Sequence, residues 1–148
     1  MGQDDATIAR QLYQDWNKRQ FDHFASLFAS SAEIVLVGSG TRFRGQKGAK
    51  EFANMWADGF PDGKVKIDKL IAADTSVVVQ YTGTGTHTGT LAAPAGDIPA
   101  TGRSVTLELC DVIQFRDGKI KSLTSYFDSA SLLMQLGVLP EARIPTHA

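Results

Sequence analysis

The chain predicts an α+β fold in which N-terminal helices pack on a sheet of long antiparallel strands. Three observations lead there. In the first third, Ile8, Leu12, Tyr13 and Trp16 recur at helical spacing. In the last third, Val105, Leu107, Leu109, Ile113 and Phe115 share one parity, the pattern of a strand with one apolar face. Between these, strand follows strand through short turns and one longer loop. A curved sheet wrapped around its helices would form a cone with an apolar pocket.

Taken in order, residues 4–19 read as a helix, with acidic residues first and Lys18-Arg19 last, as the helix dipole favours. Phe21 to Phe28 reads as a second short helix, with Phe21, Phe24, Leu27 and Phe28 apolar. Ala32 to Val37 is a strand ended by Gly38-Ser-Gly40, and Thr41 to Arg44 a short strand or turn. A helix over about 46–58 carries Phe52, Met55 and Trp56, and Pro61-Asp-Gly63 closes it. Strands follow at 64–73 and 76–88, with Asp74-Thr-Ser between them as a turn. Residues 89–102 hold Gly, Pro and Ala and form a loop. The strand from Arg103 to Phe115 then turns through Arg116-Asp-Gly-Lys into a last strand, Ile120 to Asp128, and a terminal helix begins near Ser129. The tail from Pro140 to Ala148 is expected to be loosely ordered.

A length of 148 residues fits one domain, 1–148, with a core of useful size. A formal net charge of −1 gives no reason to expect nucleic acid or an anionic membrane as partner. Cys110 is the single cysteine, so no internal disulfide can form, and a reducing, cytoplasmic location is expected. No apolar run approaches a membrane span, and Met1-Gly-Gln-Asp-Asp lacks the basic and apolar regions of a signal peptide. His23 and His147 form no metal spacing with another His or with Cys110, so no metal is expected. Gly38-Ser-Gly40 and Gly83-Thr-Gly85 lie in the wrong context for a nucleotide fingerprint.

Two carboxylates stand out. Asp111 shares the parity of the apolar residues around it, and a buried charge there must be paired, hydrogen-bonded or functional. Arg42, Arg44 and Arg103 are its possible ion partners. Asp128 follows Tyr126-Phe127 where a strand meets a helix; it can cap that helix, act as an acid/base, or both. His87 has the parity of Val77, Val79 and Tyr81, which would turn it toward a pocket. Gly83, Gly85 and Gly89 mark either a bend in the sheet or room for a ligand. Cys110 reads as an inert packed thiol.

Three segments resemble one family. Gly85-Thr-His-Thr-Gly89 with Ile98-Pro-Ala-Thr-Gly-Arg103, then Asp111-Val-Ile-Gln-Phe-Arg-Asp-Gly-Lys-Ile120, then Asp128 with Leu132-Leu133 and Gln135-Leu136-Gly137 are similar to the SnoaL-like polyketide cyclases, also called ester cyclases, of the nuclear-transport-factor-two-like superfamily. The resemblance implies a curved, mixed but mainly antiparallel sheet wrapped around the N-terminal helices as an α+β cone. It implies intramolecular aldol closure of a polyketide methyl ester, by acid–base chemistry without metal or cofactor, on a small apolar molecule. Asp128 best matches the family's acid/base near the end of the last strand, while Asp111 stands where the family often has a His, with His87 to orient or tune the acid. Trp16, Phe28, Trp56, Tyr81 and Tyr126 are the aromatic residues expected to bind substrate, and a homodimer is expected by analogy. Two other readings share the fold: a limonene-type epoxide hydrolase using two Asp and an Arg, and a non-catalytic binder of small ligands.

Overall fold

The computed structural model describes residues 4–139, so the tail from Pro140 lies outside the described residues. Helix α1 (Asp5–Asn17) starts where Asp4 Oδ1 accepts the Thr7 amide at 2.7 Å, an N-cap that satisfies an otherwise unpaired donor. It buries Ile8, Leu12, Tyr13 and Trp16, the stripe expected from their spacing. Helix α2 (Phe21–Ser26) is shorter than expected, because Phe28 belongs to the next strand. Strand β1 (Phe28–Leu36) pairs antiparallel with β2 (Thr41–Arg44) and parallel with the last strand. Helix α3 (Gly45–Gly59) follows, then β3 (Lys64–Ala73), β4 (Ser76–Thr86), β5 (Ser104–Arg116), β6 (Lys119–Phe127) and α4 (Ser129–Gln135).

The six strands form one sheet in the order β2-β1-β6-β5-β4-β3, and the β1–β6 pair is its parallel step. The sheet is mixed but mainly antiparallel, as expected. One face packs against α1, α2 and α3. That face carries the odd-numbered residues of β5 and β4, from Val105 to Phe115 and from Val77 to Tyr81. The alternation seen in the sequence therefore places the core correctly.

Two contacts fix the end of α1 over the sheet. The Asn17 carboxamide accepts the Val65 N–H and donates to the Val65 carbonyl, each at 2.8 Å, and so pairs with an otherwise open edge of β3. Arg19, at φ 61°, donates to the carbonyls of Trp16, Pro61 and Gly63 at 2.8–2.9 Å. Its guanidinium lies 4.2 Å over the Trp16 ring, within cation–π range. The turn after α3 is thereby tied to the end of α1. Arg19→Ala is expected to cost about 1–3 kcal/mol, read as a lower urea midpoint. Arg19→Lys should recover only part, because an ammonium cannot reproduce the forked contacts. An unchanged midpoint for Arg19→Ala would show that this tie carries no stability.

Candidate active site

The space between sheet and helices is not filled. A cavity leaves about 90 Å³ open to the centre of a water-sized sphere. One water needs roughly 10–15 Å³ on that measure, so a larger group fits. Its floor is β5, through Val105, Leu107, Leu109 and Asp111, with Tyr81, Gly83 and Gly85 of β4 beside them. Its walls are Leu12, Tyr13 and Trp16 of α1 and Phe24, Phe52, Trp56 and Phe60 on and after α2 and α3. Among the described residues that line it, Asp111 is the one carboxylate and Lys64 the one cation.

Asp111 sits in the centre of the sheet, opposite Val79 on β4 and Ser125 on β6, and is 2% exposed. Tyr13 donates its hydroxyl to Asp111 Oδ2 at 2.7 Å, and Tyr81 donates to Oδ1 at 3.1 Å. The two tyrosine rings lie 4.9 Å apart at their centroids. The Ser125 hydroxyl is buried without a well-formed hydrogen bond, yet lies near enough to Asp111 to favour its charged form. Burial is the stronger influence and lifts the carboxyl from its ordinary 3.8 to about 6, against the pull of Ser125, Tyr13 and Tyr81. Burial, with the Asp111 charge second, pushes both tyrosine hydroxyls well above their usual range, so both stay neutral donors. None of Arg42, Arg44 or Arg103 is the partner of Asp111. Arg42 and Arg44 pair with Glu33 at the β1–β2 edge, and Arg103 lies against Gly137.

Other candidates fall elsewhere. Asp128 is exposed and absent from the cavity lining; its Oδ1 accepts the Ser131 amide at 3.1 Å as the N-cap of α4. His87 is buried on the expected side of β4, but Phe60 fills the space beside it, with ring centroids 5.5 Å apart. His87 Nδ1 accepts the Thr101 amide at 3.2 Å, and its carbonyl accepts from Thr101 and Gly102. It thus pins the loop before β5, which ends β4 one residue short of His87 rather than at residue 88. Among the described residues its Nε2 has no partner, and burial pushes the imidazole below its ordinary value, against the opposing pull of a backbone contact at Ile98.

Of the aromatic residues expected to bind substrate, Trp16, Trp56 and Tyr81 line the cavity. Phe28 and Tyr126 do not. Phe28 is wholly buried against Phe24 because the parallel pairing with Ile120 draws it into β1. Tyr126 is 48% exposed, because Ser125 takes the inward position opposite Asp111 and turns its neighbour outward. Tyr13 was not among the expected site residues. A tyrosine on the apolar stripe of α1, whose hydroxyl needs a buried acceptor, was the available signal. The two Asp and one Arg of an epoxide hydrolase are not assembled in this cavity among the described residues.

The raised Asp111 value makes stability depend on pH. The native state holds this proton up to about pH 6, whereas the unfolded chain releases it near the ordinary value of 3.8. Between those values the native state binds more protons, so stability falls as pH rises, by roughly 3 kcal/mol across the window. Asp111→Asn removes that dependence. Its urea-unfolding stability minus that of the wild type is expected to climb between about pH 4 and pH 7 and then level off. A difference that stays flat across that range would contradict the raised value.

Comparison with known proteins agrees with this architecture. The profile of the SnoaL-like polyketide cyclases matches residues 6–136. No curated protein matches the chain. TsrD from Streptomyces laurentii is 23% identical, with TM-score 0.77, covering 93% of this chain and 100% of that one. IdmH from Streptomyces antibioticus, a proposed polyketide cyclase, is 24% identical, with TM-score 0.72 over 89% of this chain and 97% of its own. A Catenulispora acidiphila protein of ketosteroid isomerase-like fold, in complex with trimethylamine, is 19% identical, with TM-score 0.74 over 90% and 93% of the two chains. At these identities the structures speak for the fold, which is the ketosteroid isomerase-like α+β cone. With the profile spanning nearly the whole cone, from α1 through α4, the chain belongs to the SnoaL-like polyketide cyclase family.

Proposed function

We propose that this protein closes a ring in a small, largely apolar carbonyl compound by intramolecular aldol addition, with Asp111 as the acid/base. The observation that carries this reading is one buried carboxylate in an aromatic-walled cavity, with a pKa of about 6 and two neutral hydroxyls fixed on it. A base of that strength is ionised near neutral pH and still binds a proton well. Asp111 takes a proton from the carbon next to a carbonyl, leaving an enolate. The enolate carbon attacks a second carbonyl of the same molecule, a C–C bond forms, and the new alkoxide takes the proton back from Asp111. No atom is gained or lost, so the cycle consumes no co-reactant. As Asp111 becomes neutral, the Tyr13 and Tyr81 hydroxyls can turn toward the enolate oxygen, where charge develops.

Proton transfer is assigned to Asp111 rather than Asp128, because Asp128 is exposed and already serves as a cap. His87 has a positioning role, holding Thr101 and Gly102 behind Phe60. The unpaired Cys110 supports a cytoplasmic location. We assign the outer sheet face to a homodimer contact. A row of residues paired from strand to strand, Val35, Thr124, Val112, Val78 and Ile71, crosses it, with Val37 and Tyr126 exposed nearby.

Assayed on carbonyl compounds including polyketide methyl esters, Asp111→Asn is expected to lose at least about 100-fold in turnover. Asp128→Asn should stay within a few-fold of wild type. Wild-type kcat/KM should rise with pH through about 6, as Asp111 ionises, and then level. The opposite ranking of the two variants would return the acid/base role to Asp128. A ligand retained unchanged in native mass spectrometry, without turnover, would favour a binding protein. Sedimentation velocity should give twice the 16.0 kDa chain mass, and Val112→Lys should halve it. A wild-type monomer would remove the dimer.

A further inference from the structure

Among the described glycines whose φ is not left-handed, Gly38, Gly48, Gly59, Gly63, Gly85 and Gly89 would each bring a Cβ to 3.0 Å or less of a neighbour, and Gly83 would not. A Cβ at Gly85 would come within 3.0 Å of Phe60 Cβ and 3.2 Å of Gly63 Cα, so Phe60 or Gly63 would have to give way to it. At Gly63 it would meet the Phe60 carbonyl at 2.9 Å. At Gly83 the nearest atom would be Leu109 Cδ1 at 3.5 Å, then Val65 Cγ1 at 3.8 Å, which are ordinary contacts. The backbone there is not left-handed, and β4 pairs with β5 without a bulge from Ser76 to Thr86. Nothing in the fold therefore asks for glycine at 83, although glycine weakens a strand interior.

What the missing side chain leaves is open cavity. Gly83 lines it, on the same face as Tyr81, between Val65 of β3 and Leu107 of β5. We infer that Gly83 sets how long a ring-bearing carbonyl compound the cavity admits, its bare peptide leaving room for the end of the molecule remote from Asp111. The span fits such a molecule. Asp111 pairs with Val79, four residues before Gly83, a distance of about 14 Å at ~3.4 Å per residue. Short substrates end before Gly83, while long flat ones lie across it. The opposing wall of Trp16, Trp56 and Phe60 suits a planar ring system. This inference rests on the cavity being the substrate site, and not on which residue moves the proton.

The test uses three ketones of rising length, acetophenone, 2-acetylnaphthalene and 2-acetylanthracene, with binding followed by quenching of the cavity tryptophans Trp16 and Trp56. Gly83→Val is expected to weaken 2-acetylanthracene at least tenfold and acetophenone less than twofold, with Gly83→Ala between wild type and Gly83→Val. Melting temperatures should not fall for either Gly83 variant, whereas Gly85→Ala should melt lower. Equal binding of the longest ketone by wild type and Gly83→Val overturns the inference. So does a melting temperature that falls as far as that of Gly85→Ala. A wild-type protein that quenches with none of the ketones overturns the cavity reading and this inference together. Full turnover by Asp111→Asn would sink only the proposed acid/base.

Discussion

A carboxylate buried in the middle of an apolar sheet face is the constraint around which this molecule is arranged. Asp111 is only 2% exposed, so its lone pairs are met largely from within. The donors come from two directions, Tyr81 from the neighbouring strand and Tyr13 from α1. The second is the more consequential, because it fixes the rotation of α1 over the sheet. With Tyr13 aimed at Asp111, Leu12 and Trp16 necessarily become cavity wall. Asn17 and Arg19 then lock the end of the same helix against β3 and the turn after α3.

The strand pattern made half of this legible from the sequence. Parity alone put Asp111 inside, since a period of two leaves no choice of face once its neighbours are apolar. The same rule could have turned Tyr126 outward, given Leu123 two residues before the inward Ser125. Tyr13 was harder to find. It lies 98 residues from Asp111, and no local pattern links a helix hydroxyl to a particular carboxylate on a distant strand. Phe28 misled for a related reason. Phe21, Phe24 and Phe28 fit a helical stripe, but a parallel ladder with the last strand outweighed that local preference.

Asp128 and Asp111 show why a carboxylate's neighbours in sequence do not reveal its role. Both follow alternating strand residues, and both sit where the chain could form a site. Asp128 meets a helix N-terminus, where exposed amides are ready for it. Asp111 meets only side chains, so its solvation depends on residues brought from elsewhere in the fold. The first arrangement is local and stabilising. The second is non-local and costs stability.

That cost bears on function. Holding Asp111 ionised at neutral pH opposes folding by roughly 3 kcal/mol, a sizeable share of the 5–15 kcal/mol typical of a domain. A leucine on the β5 parity would avoid it, as Leu107 and Leu109 do on the same strand. The tyrosines do not remove the penalty. They direct it, leaving the carboxylate ionised but readily protonated, with hydroxyls beside it that cannot themselves ionise near neutral pH. Hydroxyls rather than a cation meet Asp111, and Lys64, the one cation on the cavity wall among the described residues, is engaged with the Asn17 carbonyl instead. The cavity thus spends stability on a single proton site held against an apolar space, and the proposed acid/base role draws on that arrangement.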